Sequence, residues 1–324
     1  MLSLQNIFQA RTRITPHVVR TPLSACPALS TNKRKVKLKL ETAQDTGAFK
    51  LRGATNAILA LEPAALNAGV VCASTGNHGR AVAEAASRVG AKATICMSEL
   101  VPGNKVQAIR DLGADVRIIG KSQDDAQTEV RKLVTEQGMT EIPPFDHMDV
   151  IAGQGTIGLE LMEDWSDIDT VLIPLSGGGL IAGVALAVKS VNFNIKVIGV
   201  SMERGAAMAT SLQRGRPVEV AEEASLADSL GGGIGLENEY TLGVVQELVD
   251  DVILLNEVQI AAGMQFLYRE HGLVTEGAGA VGIPVVQENL SSRLGENVAV
   301  IVSGRNVDLD IFRKVLDGEL PFGE

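Results

Sequence analysis

Alternating strand and helix signals predict an α/β chain built on parallel sheets. Three observations carry that prediction. Short apolar runs recur along the chain with helix-periodic stretches between them. A hydrophobic share of 45% with 34 glycines suits a tightly turned globular chain, not a disordered or fibrous one. A length of 324 residues leaves room for two domains. In the first half, segments 36–41, 69–73, 93–97 and 115–119 read as strands. Segments 48–61, 79–89, 103–112 and 123–136 between them read as helices, with glycine at several of their ends. The second half repeats the theme, with strands 170–175, 195–200 and 297–302 and helices 180–190 and 258–271. Such alternation implies sheets with helices on both faces. The Pro-Pro pair in Glu141-Ile142-Pro143-Pro144-Phe145 cannot continue a helix and reads as a crossing between domains. The expected division is a small domain, 68–145, and a large one combining 1–67 with 146–324.

Charge and cysteine usage narrow the function classes. A net charge of −10 argues against nucleic-acid binding, because no basic face would neutralise phosphates. Arg13, Arg20, Lys33, Arg34, Lys35, Lys37 and Lys39 cluster near the N-terminus and read as a solvated strand edge. Cys26, Cys72 and Cys96 have no shared spacing, so neither a disulfide framework nor a zinc site is implied, and a reducing cytoplasm fits. The N-terminus has no apolar signal core, and no run of about 18 apolar residues suggests a membrane span.

Four segments carry chemistry. In Thr46-Gly47-Ala48-Phe49-Lys50-Leu51-Arg52-Gly53, Lys50 follows a glycine turn and lies between apolar neighbours at a helix start. Such surroundings destabilise the cation and make the amine a nucleophile suited to an aldehyde cofactor. A lysine snorkelling off a helix start gives the same local pattern. The apolar strand before Ser74-Thr75-Gly76-Asn77-His78-Gly79 runs through this loop into an Ala-rich helix. That junction collects free N–H groups and short polar side chains, which suits a carboxylate. An N-capped helix start is the plainer alternative. In Ser176-Gly177-Gly178-Gly179-Leu180, three glycines let the backbone curl around a phosphate at a helix N-terminus. The Lys-Ser/Thr of a P-loop is missing there, and no G-x-G-x-x-G follows the first strand. The strand before Ser303-Gly304-Arg305-Asn306 ends on a serine that either caps a helix or presents its hydroxyl to a ring nitrogen. Glu276, among small residues, and the glycine cluster 231–235 complete the set. The first is either structural or site-facing, and the second reads as a turn or a site wall.

In this order the segments resemble the pyridoxal-phosphate enzymes of fold type II, the tryptophan synthase β-like fold, in the serine/threonine dehydratase and serine racemase family. The similarity runs from Arg20-Thr21-Pro22-Leu23 to Ser303-Gly304-Arg305-Asn306-Val307-Asp308. It implies two open twisted sheets flanked by helices, pyridoxal 5′-phosphate as cofactor, an amino-acid substrate and a homodimer. It makes Lys50 the Schiff-base lysine, with Phe49 beside the cofactor ring and Asn77 on its phenolic oxygen. Gly177, Gly178, Gly179 and Leu180 would cradle the phosphate, and Ser303 would meet the pyridine nitrogen. Ser74, Thr75 and His78 belong to the substrate-carboxylate loop. The segments 201–208, 226–238 and 303–306 look like the hydroxyectoine-utilisation dehydratase branch.

Three departures bear on that resemblance. Ser201 stands where serine racemases carry a metal-binding Glu, so no metal is expected. Thr75 stands where dehydratases often have Ala and racemases Ser. Arg305 replaces the family's second Gly and either binds a second substrate carboxylate or pairs locally with Asp308 or Asp310. The sequence stops at Glu324, so an appended regulatory domain is not expected. The implied reaction is elimination of the β-hydroxyl of threonine, serine, hydroxyaspartate or a hydroxyectoine-derived diamino acid. The alternatives are an amino-acid racemase and a non-catalytic cofactor-binding regulator.

Overall fold

The computed structural model describes residues 2–322 except Thr75 and Pro102, with Asn104 given by its backbone alone. Among the described residues the strands are β1 (Leu23–Ala25), β2 (Lys35–Leu40), β3 (Val70–Ala73), β4 (Ala93–Met97), β5 (Asp115–Ile118), β6 (Thr140–Glu141), β7 (Thr170–Pro174), β8 (Lys196–Met202), β9 (Asp251–Leu255) and β10 (Asn297–Val302). They make two sheets, ordered β1-β2-β10-β7-β8-β9 and β5-β4-β3-β6. Every neighbouring pair is parallel except β1 with β2. Helices cover both faces, as the alternation predicts.

The larger sheet has a core on each side, and strand pleating sorts the side chains between them. Leu38, Leu172, Ile198, Val200, Val298, Val300 and Val302 face one core. Val171, Ile173, Val197, Ala299 and Ile301 face the other. Burial on both faces is why these strands read as continuous apolar runs. Over the smaller sheet, Val70, Cys72, Ile95 and Met97 pack against alanines of the helix Asn77–Arg88. The helix Lys50–Leu59 adds Leu51, Ala54, Ala57 and Ile58 to that same core.

Strand order fixes where a site can form. In the larger sheet β2, β10 and β7 are adjacent and parallel, with Val302 opposite Leu40 and Val300 opposite Leu172. Their C-terminal ends therefore open on one edge, which is where ligands bind in open α/β sheets.

The sequence pattern gave no sign of the helix Met148–Asp164, although it is the longest described one. Gly153, Gly155 and Gly158 hide it, because glycine is a poor helix former. The structure shows their use. A Cβ on Gly153 would sit 2.7 Å from the Arg52 carbonyl oxygen, and one on Gly155 would sit 2.9 Å from that of Gly183. The missing side chains bring this helix against the Lys50 helix and the helix Gly179–Val191.

The basic cluster needs correcting. β2 is not an edge strand, since β1 and β10 flank it. Lys39 is fully buried, with its Nζ donating to Glu160 Oε2 at 2.6 Å and to the Thr21 carbonyl oxygen at 2.7 Å. Lys37 lies over the Trp165 ring at 4.3 Å. The three cysteines are buried free thiols. No described helix is long and apolar enough to cross a membrane.

Candidate active site

Hydrogen bonds at the sheet edge bring the Lys50 turn to the end of β10. Phe49 N donates to Ser303 O at 3.0 Å, and Arg305 N donates to Gly47 O at 2.9 Å. β7 delivers the 176–179 loop beside them, and β3 delivers the 74–78 loop from the smaller sheet. Together they line a cavity of about 510 Å³. Phe49, Lys50, Ser74, Asn77, His78, Gly177, Gly178, Gly179, Leu180 and Ser303 all face it. Thr75 lies outside the described residues.

Lys50 opens its helix, and its Nζ donates to the Pro144 carbonyl oxygen at 2.5 Å. Burial lowers its pKa from 10.5 to about 8, while the Glu276 carboxylate pulls the other way. Near neutral pH a useful fraction of the amine is thus unprotonated. His78 is also buried. Its Nε2–H donates to Ile142 O at 2.7 Å, and burial, then the Lys50 charge, lowers its pKa to about 3. This ring stays neutral, with Nδ1 unpartnered.

The glycine loop has the shape of an anion cradle. Gly178 has φ +90°, the left-handed region, and caps the helix Gly179–Val191. A Cβ there would meet Met208 Cε at 2.8 Å, and one on Gly177 would run into the Phe145 ring. The first N–H groups of that helix have no intrahelical acceptor. The helix dipole adds partial positive charge at the same spot.

A chain of amides ends on a carboxylate in the cavity lining. Asn306 Nδ2 donates to Thr46 O at 2.8 Å and to Asn77 Oδ1 at 2.6 Å. Asn77 Nδ2 donates to both Glu276 oxygens, at 2.8 and 3.0 Å. Ser229 Oγ donates to Glu276 Oε2 at 3.1 Å. Glu276 is 3% exposed. Burial raises its pKa from 4.5 to about 7, against the lowering effect of the Asn77 bond. Ser303 is buried too, with Oγ making one long contact to Ala278 O at 3.5 Å.

Arg305 is corrected on both expectations. It is exposed, and its guanidinium donates to Thr42 O at 2.7 Å. It lines a separate depression with Asp45, Arg80 and Glu84, away from the Lys50 cavity. It does not pair with Asp308 or Asp310 either: Asp308 caps the helix Leu309–Leu316, and Asp310 approaches Arg313.

Sequence reasoning passed over Pro144, Phe145, Ser229 and Asn306 and left Glu276 undecided. The glycines at 231–233 do form part of the wall, together with the domain-crossing segment's Pro144 and Phe145. Three further carboxylates, Asp124, Glu222 and Asp228, lie exposed at the rim with Lys105.

Outside the cavity lining lies a second charged set. Arg52, two residues after Lys50, is wholly buried. Its guanidinium donates to Glu41 at 2.8 and 2.9 Å, to Glu160 at 2.6 and 2.9 Å and to Thr156 Oγ1 at 3.1 Å. Lys39 completes Glu160, and Thr21 Oγ1 donates to Glu41 at 2.5 Å.

Comparison with known proteins agrees with this geometry. Residues 14–304 match the family model described as pyridoxal-phosphate dependent enzyme. A "Putative threonine dehydratase" of Sinorhizobium fredii is 55% identical over 318 residues, covering 98% of this chain and 96% of that protein. The L-threonine ammonia-lyase of Thermotoga maritima is 39% identical over 318 residues, covering 98% of this chain and 79% of its own length. Among solved structures, maize serine racemase superposes with a TM-score of 0.91 at 34% identity, over 98% of this chain and 97% of its own. The fold and the match place the chain among lysine-bearing α/β enzymes of fold type II. It belongs to the pyridoxal-phosphate dependent enzyme family.

Proposed function

We propose that this chain holds pyridoxal 5′-phosphate in the Lys50 cavity and eliminates the β-hydroxyl of a threonine- or serine-like amino acid, giving a 2-oxo acid and ammonia. Lys50 is the observation that carries it: an amine of lowered pKa beside a glycine cradle and a buried neutral hydroxyl. The residues fit the cofactor on two counts. The cradle leaves no room for a Cβ at Gly177 or Gly178, so backbone N–H groups can close on a phosphate. A fraction of the amine is unprotonated near neutral pH, the form that condenses with an aldehyde.

When bound, the cofactor supplies an electrophilic carbon and a ring that draws charge from the substrate's Cα. The chain does the rest. Gly177, Gly178, Gly179 and Leu180 would hold the phosphate. Phe49 would lie against the ring, and Asn77, whose Nδ2 donates to Glu276, would turn one of its N–H groups to the phenolic oxygen. Ser303, a neutral alcohol, would leave the ring nitrogen unprotonated, which favours prompt loss of the β-group. Ser74, Thr75 and His78 would receive the substrate carboxylate, mostly through backbone N–H groups. The Lys50 amine accepts the Cα proton. Pro144, Phe145 and the 231–233 wall keep water from the reacting atoms.

A hydroxy diamino acid, of the kind hydroxyectoine breakdown would yield, is the substrate the rim favours. Asp124, Glu222 and Asp228 there outnumber Lys105 and suit a cationic tail. We further propose a cytoplasmic homodimer whose 68–145 segment forms a small domain. The four strands of the smaller sheet, all within 70–141, support that division.

The test is the product mixture from threonine, serine, hydroxyaspartate and a hydroxy diamino acid. Ammonia and 2-oxo acid should form in equal amounts. Inverted substrate without 2-oxo acid would point to a racemase, and no reaction with any of them to a cofactor-binding regulator.

A further inference from the structure

We propose that Glu276 is a further catalytic residue, the proton acceptor that converts the substrate's incoming ammonium group into a free amine. The inference rests on the amino-acid elimination proposed above. An amino acid arrives near neutral pH as an ammonium, and only the free amine can attack an aldehyde carbon. Some group in the cavity must take that proton.

The other candidates are excluded one by one. In the loaded enzyme the Lys50 nitrogen is occupied on the cofactor's aldehyde carbon, and it is needed afterwards as a free base at Cα. His78 spends Nε2–H on Ile142 O, and its ring resists protonation in the buried site. Ser303 is an alcohol. Asp124, Glu222 and Asp228 stand exposed at the rim, in solvent rather than at the floor.

Glu276 lines the floor and is held in place there. Its N–H donates to Gly304 O at 3.3 Å, and its Oε1 fills the space a side chain at residue 304 would take. Asn77 and Ser229 donate to its oxygens, which orients the carboxylate and leaves lone pairs for a further donor. The groups that face it are Lys50 from the Lys50 helix, Asn77 and His78 from the helix Asn77–Arg88, Lys105 from the helix Gly103–Arg110, and Asp228 and Ser229 from the turn Asp228–Leu230. Burial sets its pKa near 7, with smaller effects from Asn77, Asp228, Ser229 and Lys105. A base poised there is ionised enough to accept a proton and acidic enough to return it. The step balances as R–NH3⁺ plus Glu276–COO⁻ giving R–NH2 plus Glu276–COOH. No carbon bond changes and nothing is oxidised.

The experiment is the pH profile of kcat/KM for wild type, Glu276→Gln and Glu276→Asp holoenzyme with L-threonine. Wild type should lose kcat/KM below a midpoint near 7. In Glu276→Gln that limb should move up to the pKa of the substrate's own amine. Its kcat/KM at pH 7 should fall at least about a hundredfold and recover at high pH. Glu276→Asp should keep the wild-type limb. Independently, infrared titration of the cofactor-free protein should show a carboxyl with a midpoint near 7 that Glu276→Gln removes. A uniform loss across pH with the limb unmoved overturns the proposal, as does a Gln variant within twofold of wild type at pH 7. Wild type that makes no 2-oxo acid overturns the elimination as well, whatever the carboxyl titration shows.

Discussion

Arg52 and Lys50 lie two residues apart on one helix, yet the protein treats their charges in opposite ways. Arg52 has every donor direction met by Glu41, Glu160 and Thr156. Burial alone would lower its pKa, but the two carboxylates outweigh that and hold it above its ordinary value. Glu160 is likewise pulled below the usual carboxylate range by Arg52 and Lys39, against burial. Lys50 and Glu276 have only partial compensation, so burial dominates and both drift toward neutrality near pH 7–8. The lesson is that burial of charge does not by itself mark a functional group. Saturated groups act as anchors, while undersatisfied ones in a cavity are poised for proton transfer.

Removing the anchor should have the largest effect on stability. Arg52→Ala leaves Glu160 with Lys39 and leaves the buried Glu41 with only the neutral donors Thr21 and Gln44. It is expected to cost about 3–5 kcal/mol, read from urea unfolding at pH 7. A loss under about 1 kcal/mol would erase the contrast between the two sets.

Glu276→Gln should do the reverse. Its folded pKa of about 7 lies above the unfolded value of 4.5, so ionisation destabilises the fold. The cost is absent below pH 4.5, grows between 4.5 and 7 and is complete above 7. Glutamine removes it. The variant should therefore be more stable than wild type by up to about 3 kcal/mol at pH 8, with no gain near pH 4. A gain independent of pH would contradict burial as the cause.

Smaller effects sharpen the picture. Gly178→Ala forces a side chain into the left-handed region and toward Met208, a strain of about 1–2 kcal/mol. Cofactor affinity should fall about tenfold, measured by equilibrium binding to the cofactor-free protein. Arg305→Ala touches neither set. It should change stability by less than about 0.5 kcal/mol and leave kcat/KM within about twofold. A selective loss for one charged substrate would return Arg305 to the site.

Much of this was legible in the sequence, and the gaps have physical causes. Strands such as Ala93–Met97 and Asn297–Val302 were readable because both sheet faces are buried and turns bound the runs. The helix Met148–Asp164 was not, because the glycines that let it pack closely also erase its helical signature. Lys50 and the cradle lie on local motifs and could be found. Glu276 lies 199 positions from Asn77, and only the sheet topology brings the two together. Lys39 looked like a surface lysine, because its partner Glu160 is 121 positions away. The departure at Arg305 drew a functional reading from its chemistry, whereas its backbone position turns it outward.

Everything proposed for this cavity depends on Lys50 being its reactive amine. The most direct measurement reduces the cofactor-loaded protein with borohydride and maps the modified residue by peptide mass. One adduct is expected, on the peptide carrying Lys50, and none in Lys50→Ala. A full-yield adduct on another lysine, or an unchanged yield in Lys50→Ala, would contradict it.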